Sequence, residues 1–190
     1  MAYAICGNSP NDPKWYNVEQ AVGANAPNAQ SDVKLVQYMI KHYYGTVAAQ
    51  LGVDGWIGPT TLSWIKKFQD DAKKGGANVL ADGRIDRAFG QVSSISKTVY
   101  TILLLNAALQ KKNPSAYQNL PQSVPLSLKP KTNPYNPGKQ VKTVFRFTQS
   151  PPYHLVVVYT DGSEASMVVQ GQLQFPPGTQ VIYIPNIYGI

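Results

Sequence analysis

The side chains able to do acid–base or covalent chemistry are few in this chain and lie far apart. Its only glutamates are Glu19 and Glu164, its only histidines His42 and His154, and its only cysteine Cys6. Glycoside hydrolysis ordinarily takes two carboxylates flanking the scissile bond, and here the two glutamates fall near opposite ends of the sequence. A catalytic zinc takes three protein ligands, usually including histidine, yet no HExxH and no nearby partner pattern accompanies either histidine. A nucleophile pair built on Cys6 has no supporting pattern. No GxSxG, GxGxxG or phosphate-binding loop occurs. The residue inventory therefore predicts no enzyme, no metal and no cofactor, and the lone cysteine excludes an intramolecular disulfide framework.

Bulk properties narrow the partners. The chain has 190 residues, a formal net charge of +7 and a sequence pI near 9.4. Hydrophobic residues make up 43%, enough to build a core, while charged residues make up only 14%, well below the usual share. The basic excess is spread out, in short pairs such as Lys66-Lys67 and Lys111-Lys112, and reads as solvated faces. No nucleic-acid motif accompanies it, so no nucleic acid is expected, whereas an anionic polymer would be attracted. The longest apolar run, Ile102–Leu105, is far short of the ~20 residues of a membrane span, so no membrane partner is expected. The first residues, MAYAICGNSPNDPKWYN, lack the basic and apolar regions of a signal peptide.

The fold class reads as α+β, with helices first and strands last. Residues 1–30 are rich in Asn, Pro, Gly and Ala and predict an extended arm and loop. Ser31–Tyr44 predicts a helix capped by Ser31, with Val33, Val36, Ile40 and Tyr43 at helical spacing and Gly45 as its stop. Asp54-Gly55 predicts a tight turn, and Gly58-Pro59 opens a second helix whose inner stripe is Leu62, Ile65, Phe68 and Ala72. Asp82-Gly83 repeats the turn chemistry. A third helix is predicted over about Val92–Lys111, carrying Ile95, Val99, Ile102, Leu105 and Leu109, with Asn113-Pro114 closing it. Residues 31–112 thus form a helical domain. Recurrent prolines make 113–140 a linker or wrapping arm. Residues 141–190 predict a small antiparallel β module: strands at Thr143–Thr148, Leu155–Tyr159, Ala165–Gln170 and Gln180–Ile184, with Gln172–Phe175 as a short fifth. Thr160-Asp161-Gly162-Ser163 is its hairpin turn.

Three stretches, VGANAPNAQSDVKLVQ (22–37), VDGWIGPTTLSWIKKFQ (53–69) and ADGRID (81–86), together resemble the peptidoglycan-binding domain-like family over residues about 22–90, extending to 112. The chain departs from the family at Arg87-Ala88-Phe89-Gly90, where Pro or Gly residues often continue. The resemblance implies a three-helix fold and non-covalent binding of cell-wall glycopeptide. For such a ligand, Trp56 at a loop tip either offers an aromatic platform or plugs the gap between helices. Trp64, beside the inner stripe, belongs to the core or a groove wall, and Tyr38 is one of the first-helix tyrosines that could face a groove. Gln37 and Gln69 either tie helix to loop or offer amides to a stem peptide. Asp54 and Thr61 shape the first loop, and Arg84 suits a stem-peptide carboxylate. Lacking a signal peptide, such a protein is expected in a virion, a secreted injection assembly or a released one, with other subunits docking through 113–190. The alternative is a structural assembly protein that reuses the fold without sugar binding.

Overall fold

A computed structural model describes residues 1–6, 14–89, 93, 95–128, 135–146, 153–170 and 174–183, and shows a mixed α+β architecture. The chain runs β1 (Tyr3–Cys6), β2 (Lys14–Asn17), β3 (Val22–Gly23), α1 (Gln30–Tyr44), α2 (Pro59–Lys74), β4 (Arg84–Ile85), α3 (Thr101–Lys112), α4 (Pro114–Ser123), β5 (Ser127–Leu128), β6 (Val141–Arg146), β7 (Tyr153–Tyr159), β8 (Glu164–Val169) and β9 (Gln180–Tyr183). Helix α1 contacts α2, α3 and α4, so the helices share one apolar interior.

The N-terminal segment departs most from expectation. In place of an exposed arm, β1 and β2 pair antiparallel, and β5 joins β1 in parallel on its other side. Ala2, Tyr3, Ala4, Trp15, Tyr16 and Val18 are buried, and the Trp15 ring lies 4.5 Å from Phe145 of β6. Among the described residues, the outer side of β2 meets no strand at Tyr16. Instead Asn106 of α3 takes the role of one: Tyr16 N–H donates to its Oδ1 (2.9 Å), and its Nδ2 donates to Tyr16 C=O (2.8 Å). A side-chain amide thus supplies both halves of a ladder bond at a position where an open edge would be costly.

The helices start and stop for identifiable reasons. Gly45, at φ +61, ends α1 as predicted. Ser31 does not cap α1. Its Oγ accepts the N–H of Ala2, and the buried Asp32 beside it accepts the N–H groups of Glu19 and Gln20, so the first turn of α1 anchors the N-terminal strands. In α2 the inner face is Trp64, Ile65, Phe68, Gln69 and Ala72, with Leu62 half-buried. Helix α3 begins at Thr101, nine positions later than predicted. Ile95 is 92% exposed, and Ser93 Oγ accepts the N–H groups of Ile95 and Ser96, so the Ser-rich stretch forms turns rather than a helix. Asn113-Pro114 does end α3, but it also opens α4: Asn113 Oδ1 accepts Ala116 N–H as a cap, with Pro114 in the first turn. The predicted connector therefore begins with a helix whose Ala116, Tyr117 and Leu120 are buried.

The C-terminal sheet has the order β8-β7-β6-β9. The hairpin turn at 160–163 forms as expected, with Gly162 at φ +80. The sheet is mixed rather than antiparallel, because β9 returns past two strands and pairs with β6 in parallel. Phe145, Val156, Val158 and Ile182 on one face join the main core. Val144, Leu155 and Val157 on the other gather under Tyr135, Tyr153 and Phe175. The suggested strand at 172–175 falls partly outside the described residues and shows no strand at 174–175; the side chains of Cys6 and His154 also lie outside them.

Candidate ligand-binding site

The two Asp-Gly corners are built alike, atom for atom, around a glutamine. In the first, Gln37 of α1 reaches the loop: Gly55 N–H donates to its Oε1 (2.8 Å), and its Nε2 donates to Asp54 Oδ1 (2.9 Å), Trp56 C=O (3.0 Å) and Thr61 Oγ1 (3.1 Å). In the second, Gln69 of α2 does the same: Gly83 N–H donates to its Oε1 (2.8 Å), and its Nε2 donates to Asp82 Oδ1 (3.3 Å), Arg84 C=O (2.8 Å) and Thr101 Oγ1 (3.2 Å). Each aspartate also accepts the N–H two residues on, of Trp56 or Arg84. Both glutamines are buried. Each unit therefore comprises a helix glutamine, an Asp-Gly turn and a threonine in the first turn of the next helix. Gly55 (φ +83) is required twice over, since a Cβ there would also sit 2.5 Å from Gln30 Cγ.

Sequence reasoning found Gln37, Asp54, Thr61 and Gln69 but missed Thr101, the counterpart of Thr61. The discoverable signal was the repeat itself, which demands a threonine at the head of a helix after the second corner. Because each glutamine accepts a buried glycine N–H, removing it leaves that donor without its acceptor. Gln69→Leu is expected to lower unfolding free energy by about 2 kcal/mol, read from the urea midpoint. An unchanged midpoint would show that the corner is held some other way.

The corners differ in what they present. Trp56 follows the first glycine and is 71% exposed, with its backbone pinned on both sides. Its counterpart Arg84 is engaged by the protein: Nε donates to Asp86 Oδ1 (2.8 Å), and Nη1 donates to Asn25 C=O (2.7 Å). The other two aromatic candidates are core residues. Tyr38 is buried with its hydroxyl donating to Ala116 C=O (3.0 Å), and Trp64 is buried against Tyr44 at 5.0 Å. The Asp54 carboxyl sits below its ordinary 3.8, because Trp56 N–H and the Gln37 amide both donate to it. A cleft beside the second corner, lined by Asp82, Arg84, Asp86 and Tyr100, encloses about 40 Å³. That admits a few waters and no sugar ring.

Residues 87–89, just past the second corner, join the two ends of the chain. Arg87 donates from Nε to Tyr3 Oη (3.1 Å) and from Nη1 to Glu19 Oε1 (3.0 Å), and its Nη2 lies 3.6 Å from Glu164 Oε1. Both glutamates of the chain thus pair with one guanidinium. Asn17 holds the next residue, accepting Ala88 N–H (3.2 Å) and donating to Ala88 C=O (2.9 Å). No protein-family model, curated protein or solved structure matches this chain.

Proposed function

We propose that the protein binds bacterial cell-wall peptidoglycan without catalysis, through the face carrying Trp56, as part of a phage virion or phage-tail-like assembly. The observation that carries this reading is Trp56 itself: an indole 71% exposed on a corner whose N–H and C=O are both fixed. An exposed indole offers a broad apolar face with an N–H at its edge, the pairing suited to stacking on a sugar ring. The fixed backbone leaves only the two side-chain torsions of Trp56 to be ordered when a sugar face stacks on it. The resemblance of residues 22–37, 53–69 and 81–86 points the same way, with α1, α2, α3 and the two corners read as the family's three-helix unit. The net charge of +7 favours encounter with an anionic wall.

The test is co-sedimentation of the full chain with purified insoluble peptidoglycan. Wild type is expected in the pellet, and Trp56→Ala should weaken binding about tenfold, or ~1.4 kcal/mol, with an unchanged melting midpoint. Wild type remaining in the supernatant would overturn the reading.

A second reading, a building block that joins neighbouring subunits through residues 113–190, draws on the C-terminal sheet. Its outer strands β8 and β9 each have a partner on one side only among the described residues. The buried face of α4 leaves the sheet as the better assembly surface. A defined oligomer in native mass spectrometry, with no wall retention, would favour it.

A further inference from the structure

A second candidate site lies on the β module, away from the corners. The turn Tyr135–Lys139 and the β7–β8 hairpin enclose a cleft of about 370 Å³, lined by Tyr135, Asn136, Pro137, Lys139, Tyr159, Ser163 and Glu164. That volume lies within the roughly 300–1,000 Å³ of small-molecule clefts. Its walls are fixed. Lys139 N–H donates to Asn136 C=O across Pro137-Gly138, and Gly138 N–H donates to Asn136 Oδ1. Asn136 N–H donates to Tyr159 Oη (2.7 Å), tying the turn to the sheet. The Tyr135 and Tyr159 rings stack at 6.4 Å and 27°.

The charges in this cleft are already balanced. Lys139 Nζ lies 2.8 Å from Asp161 Oδ2, donates to Ser163 Oγ (2.9 Å) and sits 5.6 Å from the Tyr159 ring centre. The place where a cationic ligand would settle is thus taken by the protein's own ammonium. Glu164 is paired with Arg87. The Glu164 side chain turns to the other face of the sheet, toward Tyr3 and Arg87, so what remains unspent in the cleft is one Lys139 N–H, the Tyr159 hydroxyl proton, the Asn136 Nδ2 hydrogens and the second lone pair of Asn136 Oδ1. Among the described residues no partner engages these groups. Donors and an acceptor beside the half-buried Tyr135 ring suit vicinal hydroxyls on an apolar ring, each of which both donates and accepts.

We infer that this cleft is a binding site for a neutral pyranose, separate from Trp56 and independent of whether Trp56 binds the wall. The experiment is an amide-resolved NMR titration of the full chain with three neutral probes: chitotetraose, cellotetraose and a β-linked galactobiose. At least one is expected to shift the amides of Asn136, Gly138, Lys139 and 160–164 with a dissociation constant on the order of 1 mM. Tyr135→Ala should raise that constant about tenfold, and Trp56→Ala should leave it unchanged. Should Tyr135→Ala fail to fold, the wild-type shift map alone decides. If no probe moves these amides, or if the shifts vanish in Trp56→Ala, the inference is overturned. Wall co-sedimentation responds to Trp56 and this titration to Tyr135, so either result can fail without the other.

Discussion

Trp15→Ala is expected to destabilise the protein by about 3–5 kcal/mol, the cost of deleting a fully buried indole. Trp15 is 0% exposed on β2 and packs its ring against Phe145 of the C-terminal sheet. The substitution removes one side of the contact joining the two ends of the chain. Trp15→Phe serves as the control, because it keeps a ring while discarding an indole N–H that finds no hydrogen-bond partner among the described residues. It should cost much less. Chemical denaturation of both variants reads the effect. A loss below about 0.5 kcal/mol for Trp15→Ala would mean that the N-terminal residues lie on the surface, as their composition suggested.

Arg87→Met is expected to have an effect of similar size, about 3–5 kcal/mol, because it strands a buried charge rather than merely deleting a bond. The pair that matters is Arg87 with Glu164, whose side chains are 16% and 12% exposed; Glu19 is more open and contributes less. Tyr3 is part of the same knot. Its hydroxyl donates to Glu164 and accepts from both Arg87 and Asn17, and burial, reinforced by Glu164, holds its phenol far above the ordinary value of 10.0. Burial alone would push the Arg87 guanidinium down, but Tyr3 and the two glutamates outweigh it and hold it up. Thermal melting of Arg87→Met, with Arg87→Lys alongside, checks this: Lys should recover only part of the loss, since it lacks the planar fork. An unchanged midpoint in Arg87→Met would dissolve the proposed knot.

What could be read from the sequence was whatever has a local cause. Asp54-Gly55 and Asp82-Gly83 announce turns because glycine tolerates positive φ, and both glycines adopt it. Gln37 and Gln69 lie on helices beside those turns, so their tie to the loops was legible from position. Helices α1 and α2 carry clear apolar stripes ended by glycine. What escaped had distant causes. Residues 1–30 look like an arm because Asn and Pro dominate, yet β1 is held by β5 from the far side of the helical region, and β2 by Asn106. Prolines at 114 and 121 disguised α4, although Pro114 sits in the first turn, where it is tolerated, and the Tyr117 C=O that Pro121 cannot bond accepts the Tyr16 hydroxyl instead. The start of α3 was misplaced because apolar Ile95 fits the helical period while the serines around it favour turns. The cleft at Tyr135 and Tyr159 was invisible, since its walls come together only when the sheet closes.

The neutral amides that stitch this interior also set how the protein ages. Gln37, Gln69, Asn17, Asn28 and Asn106 each accept a peptide N–H while donating to a peptide C=O. Slow hydrolysis to the acid would put an oxygen where each nitrogen stands, facing a carbonyl, and turn a bond into a repulsion. Asparagine and glutamine are among the residues that heat damages first. Prolonged warm storage should therefore inactivate this protein through lesions of about one mass unit, each loosening the particular joint where it falls, well before the polypeptide is cut.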